Sequence, residues 1–331
     1  MKVDGEKVLV TGGAGFIGSH LVERLVNVAG QVVVYDNLST GCMDNLNGAA
    51  GHGNFRFVKG DLLNPLEVRE VLADCSLVFH LAANPEVRVG FQDTRIDFEQ
   101  NLVATYNLLE AIRVSKTARG IVFASSSTVY GEAENLPTPE DYGAMVPISL
   151  YGATKLGSEA LIMAYSHLFG IKAVIYRFAN VVGSRSRHGV IYDFIIKLSQ
   201  DPTELEILGD GTQCKSYVHI SDCVDAFMFG VQHTDERVSI LNLASKDRVD
   251  VKAIAGIVIE EMGLQGVELR FTGGIEGRGW PGDVKEMMLD GSRLERLGWR
   301  PRYSSSEAVR LAAREILSEL SVPSGKFPHS S

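Results

Sequence analysis

The stretch Val8–Leu25, VLVTGGAGFIGSHLVERL, restricts the fold of this 331-residue chain more than any other. A short apolar run meets Gly12, Gly13, Gly15 and Gly18, and a helical pattern with apolar residues three or four apart begins at once. Glycines at such a junction allow a tight turn, and they bring backbone N–H groups and a helix N-terminus up to a pyrophosphate. The next strand pattern, VVVYD, ends in Asp36, eighteen positions after Gly18. A carboxylate there accepts hydrogen bonds from ribose hydroxyls and repels a 2'-phosphate. Strand, loop, helix and acid together predict a dinucleotide site that takes NAD rather than NADP.

The rest of the chain fits around that unit. KVLVTG, VVVYD, FRFVKGD, LVFHLAA, GIVFASS and AVIYRFAN are short strand-like runs separated by amphipathic stretches, of which Ile17–Val28, Phe98–Val114 and Tyr151–Phe169 are the clearest helices. This alternation predicts an α/β fold, a Rossmann-like, doubly wound parallel sheet with helices on both faces. After Asn180 the simple alternation is lost, beginning with the polar, basic loop VVGSRSRHGV. We expect residues 1–182 to form the NAD-binding domain, with 214–247 returning to it, and residues 183–213 and 248–322 to form a smaller, interleaved C-terminal substrate domain. Residues 323–331 read as a disordered tail.

Composition excludes several classes of partner. Apolar residues make up 45% of the chain and charged residues 22%, ordinary values for a soluble globular protein. A formal net charge of -9 disfavours nucleic acid or an anionic membrane as a partner. Cys42, Cys75, Cys214 and Cys223 are too scattered for a zinc or redox motif and too few for a disulfide framework, so no metal is expected and the chain fits a reducing cytoplasm. No apolar run approaches membrane-spanning length, and the N-terminus has no apolar signal core.

Two further patterns carry chemistry. FASSSTVYG crowds Ser125, Ser126, Ser127 and Thr128 at a strand end, where hydroxyls cap turns or hydrogen-bond a substrate oxygen. SLYGATKLGSEA puts Lys155 four residues after Tyr151, one above the other on a helix. A free phenol titrates near ~10, so making it a base at neutral pH requires about three units, or roughly 4 kcal/mol. An ammonium ~4 Å away at an effective dielectric of ~20 supplies about that much. The pair makes chemical sense with a cofactor against it, and the glycine loop predicts one. Asp61 of VKGDLL and the small residues of FHLAAN mark two more strand ends, where ligands of parallel sheets lie. His80, between Phe79 and Leu81 with no evident acid or base partner, reads as a packing residue.

Taken in order, TGGAGFIGSH, YDNLSTG, FHLAAN, SSSTVYG, YGATK and RFANVVG resemble the extended short-chain dehydrogenase/reductase superfamily, and within it the NAD-dependent epimerase/dehydratase family, from Val8 to about Leu320. The resemblance implies tightly held NAD, a nucleotide-sugar substrate and a homodimer. In the branch it is most similar to, it implies epimerisation at C4 of UDP-galactose or UDP-glucose through a 4-keto sugar. It assigns Tyr151 as general base, Lys155 as its electrostatic helper and ribose ligand, and Ser126 as the substrate-binding hydroxyl. Around the cofactor it places Gly12, Gly15, Phe16, Ile17 and Gly18, then Asp36, Asn37, Ser39, Asp61 and Leu62, then Leu81, Ala82, Ala83 and Asn101. It assigns Asn180, Lys215 and Arg278 to the nucleotide diphosphate, and Met287 to the sugar pocket, where its bulk slows N-acetylated sugars without excluding them.

The chain also departs from the family pattern. Lys215 stands where an arginine is usual, a point charge in place of a fork. Arg278 lies five places before Asp283 where three is usual, and Trp280 occupies the expected position. A 4,6-dehydratase of the same family typically carries an Asp-Glu pair just before VYG; here those places are Ser127 and Thr128, which argues against dehydration. A UDP-glucuronate epimerase or decarboxylase would need a carboxylate anchor that is not recognisable in the sequence. A catalytically silent NAD-binding module is the reading from a different class, and the intact Ser126, Tyr151 and Lys155 set argues against it.

Overall fold

The computed structural model describes residues 1–321, so the tail predicted at 323–331 lies outside the described residues. The apolar runs form strands β1 (Lys7–Thr11), β2 (Gln31–Asp36), β3 (Phe55–Lys59), β4 (Leu77–His80), β5 (Gly120–Ser126), β6 (Lys172–Phe178) and β7 (Val238–Leu243). They build one sheet in the order β7-β6-β5-β4-β1-β2-β3, parallel throughout. The order reverses between β1 and β4, and that reversal opens a crevice beyond the carboxyl ends of the strands.

The central strands lack polar alternation because both faces are covered. Val8 and Val10 of β1 pack with Leu21 and Leu25 of α1 (Phe16–Leu25), whereas Leu9 packs on the other face with Val68 of α2 (Pro65–Val71) and Leu108 of α3 (Ala104–Val114). The second face also takes Ile162 of α4 (Leu150–Phe169). Helix α5 (Val190–Gln200) follows the basic loop, and α6 (Ile220–His233) shares the first face through Ala226 and Phe227. Together with α7 (Val251–Glu261) and α8 (Ser305–Ser321), α5 encloses a third core of Phe194, Ile195, Ile254, Val258, Val309 and Ala312.

Short strands form separate small sheets in this part. Asn180–Val182 pairs with Tyr217–His219, and Cys214–Lys215 lies between Val249–Asp250 and Glu286–Met287. The helix predicted at Phe98–Val114 is interrupted: Phe98–Val103 is wound as a π-helix before α3 begins. Such wide turns are rare and often lie at functional sites, and the buried residue of this one is Asn101. Cys75 and Cys223 are buried, and all four thiols are free.

Candidate active site

The β1–α1 turn is packed to the limit. Gly12 has φ +69°, and a Cβ on it would lie 2.6 Å from the Ala82 nitrogen; one on Gly18 would lie 2.1 Å from the Gly12 carbonyl oxygen. Gly15 caps α1 without a side chain, so the first N–H groups of the helix are left for a ligand. Asp36 fixes the neighbouring loop. Its Oδ2 accepts from the Ala14 N–H (2.9 Å) and its Oδ1 from the Leu38 N–H (2.8 Å), which leaves a lone pair on each oxygen for hydroxyls. Asn37 Nδ2 donates to Asp61 Oδ2 (3.0 Å), coupling the ends of β2 and β3. Phe16, Ile17, Ser39, Leu62, Leu81, Ala82 and Ala83 continue the same wall.

That wall belongs to a cavity of about 850 Å³ that also reaches Ser126, Tyr151, Lys155, Asn180, Lys215 and Met287. The Ser149 hydroxyl accepts from the Gly152 N–H (3.1 Å) and starts α4, placing Tyr151 in its first turn and Lys155 one turn on. Lys155 is 2% exposed, its Nζ donates to the Ala124 carbonyl (2.8 Å) and lies 5.7 Å from the Tyr151 ring centroid. Burial brings the Lys155 ammonium down to about 7, opposed by the charges of Glu159 and Asp97. Burial, then Asp97, holds the Tyr151 phenol above its ordinary value. The protein alone thus pushes each group toward its neutral form, and each group's charge favours that of the other.

Ser126 sits at the end of β5, where its Oγ accepts from the Thr128 N–H (3.2 Å) and Oγ1 (3.0 Å). Behind the site, Glu159 of α4 and Arg177 of β6 form a fully buried ion pair (2.7 Å). Arg177 Nη1 donates to the Tyr130 hydroxyl (2.9 Å), which donates to Asn242 of β7 (2.8 Å). His80 is fully buried, bonded to Thr11 through Nδ1 (2.8 Å) and to Thr105 through Nε2 (2.9 Å); burial lowers it to about 3, so it is neutral.

At the other end, Lys215 Nζ holds Asp283 Oδ1 (2.6 Å), and Met287 pairs in register with Lys215. Two of the expected ligand residues lie outside the cavity wall. Arg278 is drawn away by Glu132 (2.8 Å) and by the Asp283 carbonyl (2.7 Å), and Trp280 lines the cavity in its stead, with Arg88 5.6 Å and Lys215 5.7 Å from its ring centroid. Asn101 is spent on the protein: Oδ1 accepts from the Asn84 N–H (2.9 Å) and Nδ2 donates to Thr154 (3.0 Å).

Among the described residues, five buried side-chain polar atoms have no hydrogen-bond partner: Asp97 Oδ2, Asn180 Nδ2, Arg185 Nη1, Gln213 Oε1 and Trp280 Nε1. The last four belong to residues that line the cavity. Buried polar atoms are nearly always paired, so this concentration marks a place that a polar ligand completes. Arg185, Gln213 and the Glu159–Arg177 pair were not singled out from the sequence. Only the ion pair left a trace there, an acid one turn after Lys155 and an arginine inside the apolar run VIYRF. No cluster of three or more histidine, cysteine or acidic residues capable of holding a metal occurs among the described residues. None of the described helices is long and apolar enough to cross a membrane.

The family model described as the NAD dependent epimerase/dehydratase family matches residues 8–244. A UDP-glucose 4-epimerase from Mycolicibacterium smegmatis is 33% identical over 315 residues, covering 92% of this chain and 96% of that protein. Among solved structures, a UDP-galactose 4-epimerase aligns with a TM-score of 0.83 and 43% identity over 95% of this chain and 99% of that one. A UDP-glucuronic acid 4-epimerase from Bacillus cereus, in complex with UDP-glucuronic acid and NAD, aligns with a TM-score of 0.85 and 30% identity over 95% of this chain and 99% of that one.

Proposed function

Because this chain belongs to the NAD-dependent epimerase/dehydratase family, we propose that it interconverts UDP-galactose and UDP-glucose by inverting C4 through a 4-keto sugar. The observation that carries this reading is the sharing of one cavity wall by Ser126, Tyr151 and Lys155, with hydroxyls and no carboxylate at the adjoining Ser127 and Thr128. Elimination of water from the sugar would call for an acid and a base at that strand end. Beside a hydride acceptor, epimerisation needs only a group that takes and returns one proton.

The glycine cradle, the uncapped start of α1 and the Asp36 carboxylate suit NAD, which when bound supplies reversible hydride acceptance and a positive charge. Tyr151 takes the proton of the sugar 4-hydroxyl as C4 is oxidised, and the Lys155 ammonium stabilises the phenolate that makes this possible. Ser126 hydrogen-bonds the same oxygen and donates to it as it becomes a ketone. Asn180 and Lys215 hold the diphosphate, so the ketone can turn over without leaving, be reduced from its other face and regain the proton from Tyr151. No net redox occurs. The same reading includes a homodimer, supported by the exposed apolar side chains of Phe98, Tyr106, Leu150, Leu168 and Phe169 on the helices next to the site.

Incubation with UDP-galactose and analysis for UDP-glucose tests the reaction. Tyr151→Phe is expected to lose at least ~10²-fold in turnover while keeping NAD. Absence of UDP-glucose, or near wild-type turnover in the variant, would overturn the reading.

A further inference from the structure

The loop that follows Asn180–Val182 makes a sharp corner between α1 and α8. Arg185 has φ +65°, the left-handed region that residues with a side chain seldom adopt. Glutamates from both helices hold that corner. Glu315 of α8 accepts from the Ser184 N–H (2.7 Å), Glu319 one turn on accepts from the Arg185 N–H (2.9 Å), and Glu23 of α1 pairs with the Arg185 guanidinium. Burial raises the Glu315 carboxyl, but its bonds to His219 (3.2 Å) and to the Ser184 N–H hold it below its ordinary value, so it accepts as a carboxylate. From the α1 side, His20 Nε2 bonds the Ser184 carbonyl (3.1 Å). A left-handed residue persists where its surroundings over-determine it, and here charge-assisted bonds do so.

The corner borders the cofactor's end of the cavity. Gly183 and Arg185 line it, as do Ile316 of α8 and, one turn before His20, Phe16 at the start of α1. That start is where the glycine turn leaves N–H groups for a pyrophosphate. The loop therefore runs as a strap from Asn180 along the flank of the dinucleotide helix, and it is fastened to α8, a helix of the third core.

We infer that Glu315 and Glu319 are positioning residues, which keep the Gly183–Arg185 corner against α1 and so retain the cofactor through a complete turnover. A reaction without net redox must return its hydride to the sugar, and a cofactor that leaves half-way aborts it. The purpose of the strap rests on the epimerase reading above, whereas its test needs only NAD.

The experiment measures cofactor release. NAD-loaded protein is desalted, and the NAD that passes a filter is assayed over time for wild type, Glu315→Ala/Glu319→Ala, Glu319→Ala and Glu315→Gln/Glu319→Gln. Loss of these charge-assisted bonds in the double alanine variant is expected to speed release at least ~10-fold. Glu319→Ala should lie between, and the glutamines, whose carbonyl oxygens still accept both N–H groups, should stay near wild type. Amide hydrogen exchange at Ser184 and Arg185 reports on the corner itself, and protection should fall in the alanine variants alone. Unchanged release in the double alanine variant overturns the inference, whether or not the amides have lost protection. Equal acceleration in the glutamine variant also overturns it, since general destabilisation would then be the cause. If the double alanine variant does not fold, Glu319→Ala, at an exposed position, decides by the same readouts. Absence of UDP-galactose turnover alongside the expected release rates would remove the sugar reading and leave the strap.

Discussion

Replacing Lys155 by methionine keeps the length of the buried side chain and removes its charge together with its hydrogen bond to the Ala124 carbonyl, so the displacement of the pH profile, rather than the rate alone, reads the electrostatic part of the catalytic pair. With the 5.7 Å between Nζ and the Tyr151 ring centroid as the separation, Coulomb's law at an effective dielectric of ~20 gives about 3 kcal/mol, or about two pKa units. The coupling is reciprocal: an ionised Tyr151 raises Lys155 from about 7 by the same amount, so the charged pair supports itself once formed. Turnover of UDP-galactose, followed from about pH 6 to about pH 10, should fall about 10²-fold at neutral pH in Lys155→Met, and its rise with pH should be displaced upward by about two units. A uniform drop with an unchanged profile would refute the field argument and leave Lys155 a purely binding role. Stability provides a second readout with a definite sign. The folded-state value of about 7 lies below the ~10.4 of an unfolded lysine, so the folded chain binds fewer protons between those limits. The cost of burying Lys155 is full at and below pH 7 and is recovered as pH rises through that window. Lys155→Met should therefore raise Tm at about pH 6 and do so less at about pH 10.

Other predictions follow from the two ends of the cavity. Stripped wild-type protein should be reactivated by NAD and poorly by NADP, and Asp36→Asn should narrow that gap; equal reactivation of the wild type by both would contradict the role given to Asp36. Lys215→Ala should weaken UDP binding by about 1 to 3 kcal/mol, whereas Arg278→Ala, whose guanidinium is held by Glu132, should change it by less than about 1 kcal/mol. Equal effects in calorimetry would show that Arg278 reaches the ligand. Met287→Gly should shift the kcat/KM ratio toward UDP-N-acetylgalactosamine over UDP-galactose; an unmoved ratio would leave Met287, 7% exposed, as core packing alone.

What could be read from the sequence was chemistry whose distances are set by one regular element. Tyr151 and Lys155 are one helical turn apart, and the glycine loop joins one strand to one helix, so spacing along the chain measures spacing in space. Between residues 273 and 283 that measure fails. Gly273, Gly274, Gly277 and Gly282 all adopt positive φ, as does Glu276, and the chain turns often enough to carry Arg278 to Glu132 and leave Trp280 on the cavity wall. Asn101 lies in the π-helical stretch Phe98–Val103, a winding that no spacing in the sequence announced, and its amide pairs with Asn84 and Thr154. Gln213 left no signal because its environment is assembled from Leu208 and Val251, which no periodicity connects. The Glu159–Arg177 pair lies between these cases. Its charges were visible in the sequence, but its purpose depends on β5, α4 and β6 meeting. Removal of one partner from so buried a pair would cost about 3 to 5 kcal/mol. Glu159 accepts from Arg177 and from Ser125 of β5, and its remaining field opposes the desolvation of Lys155. One carboxylate thus ties the strand that presents Ser126 to the helix that presents Tyr151, and holds the ammonium between them closer to its charged form.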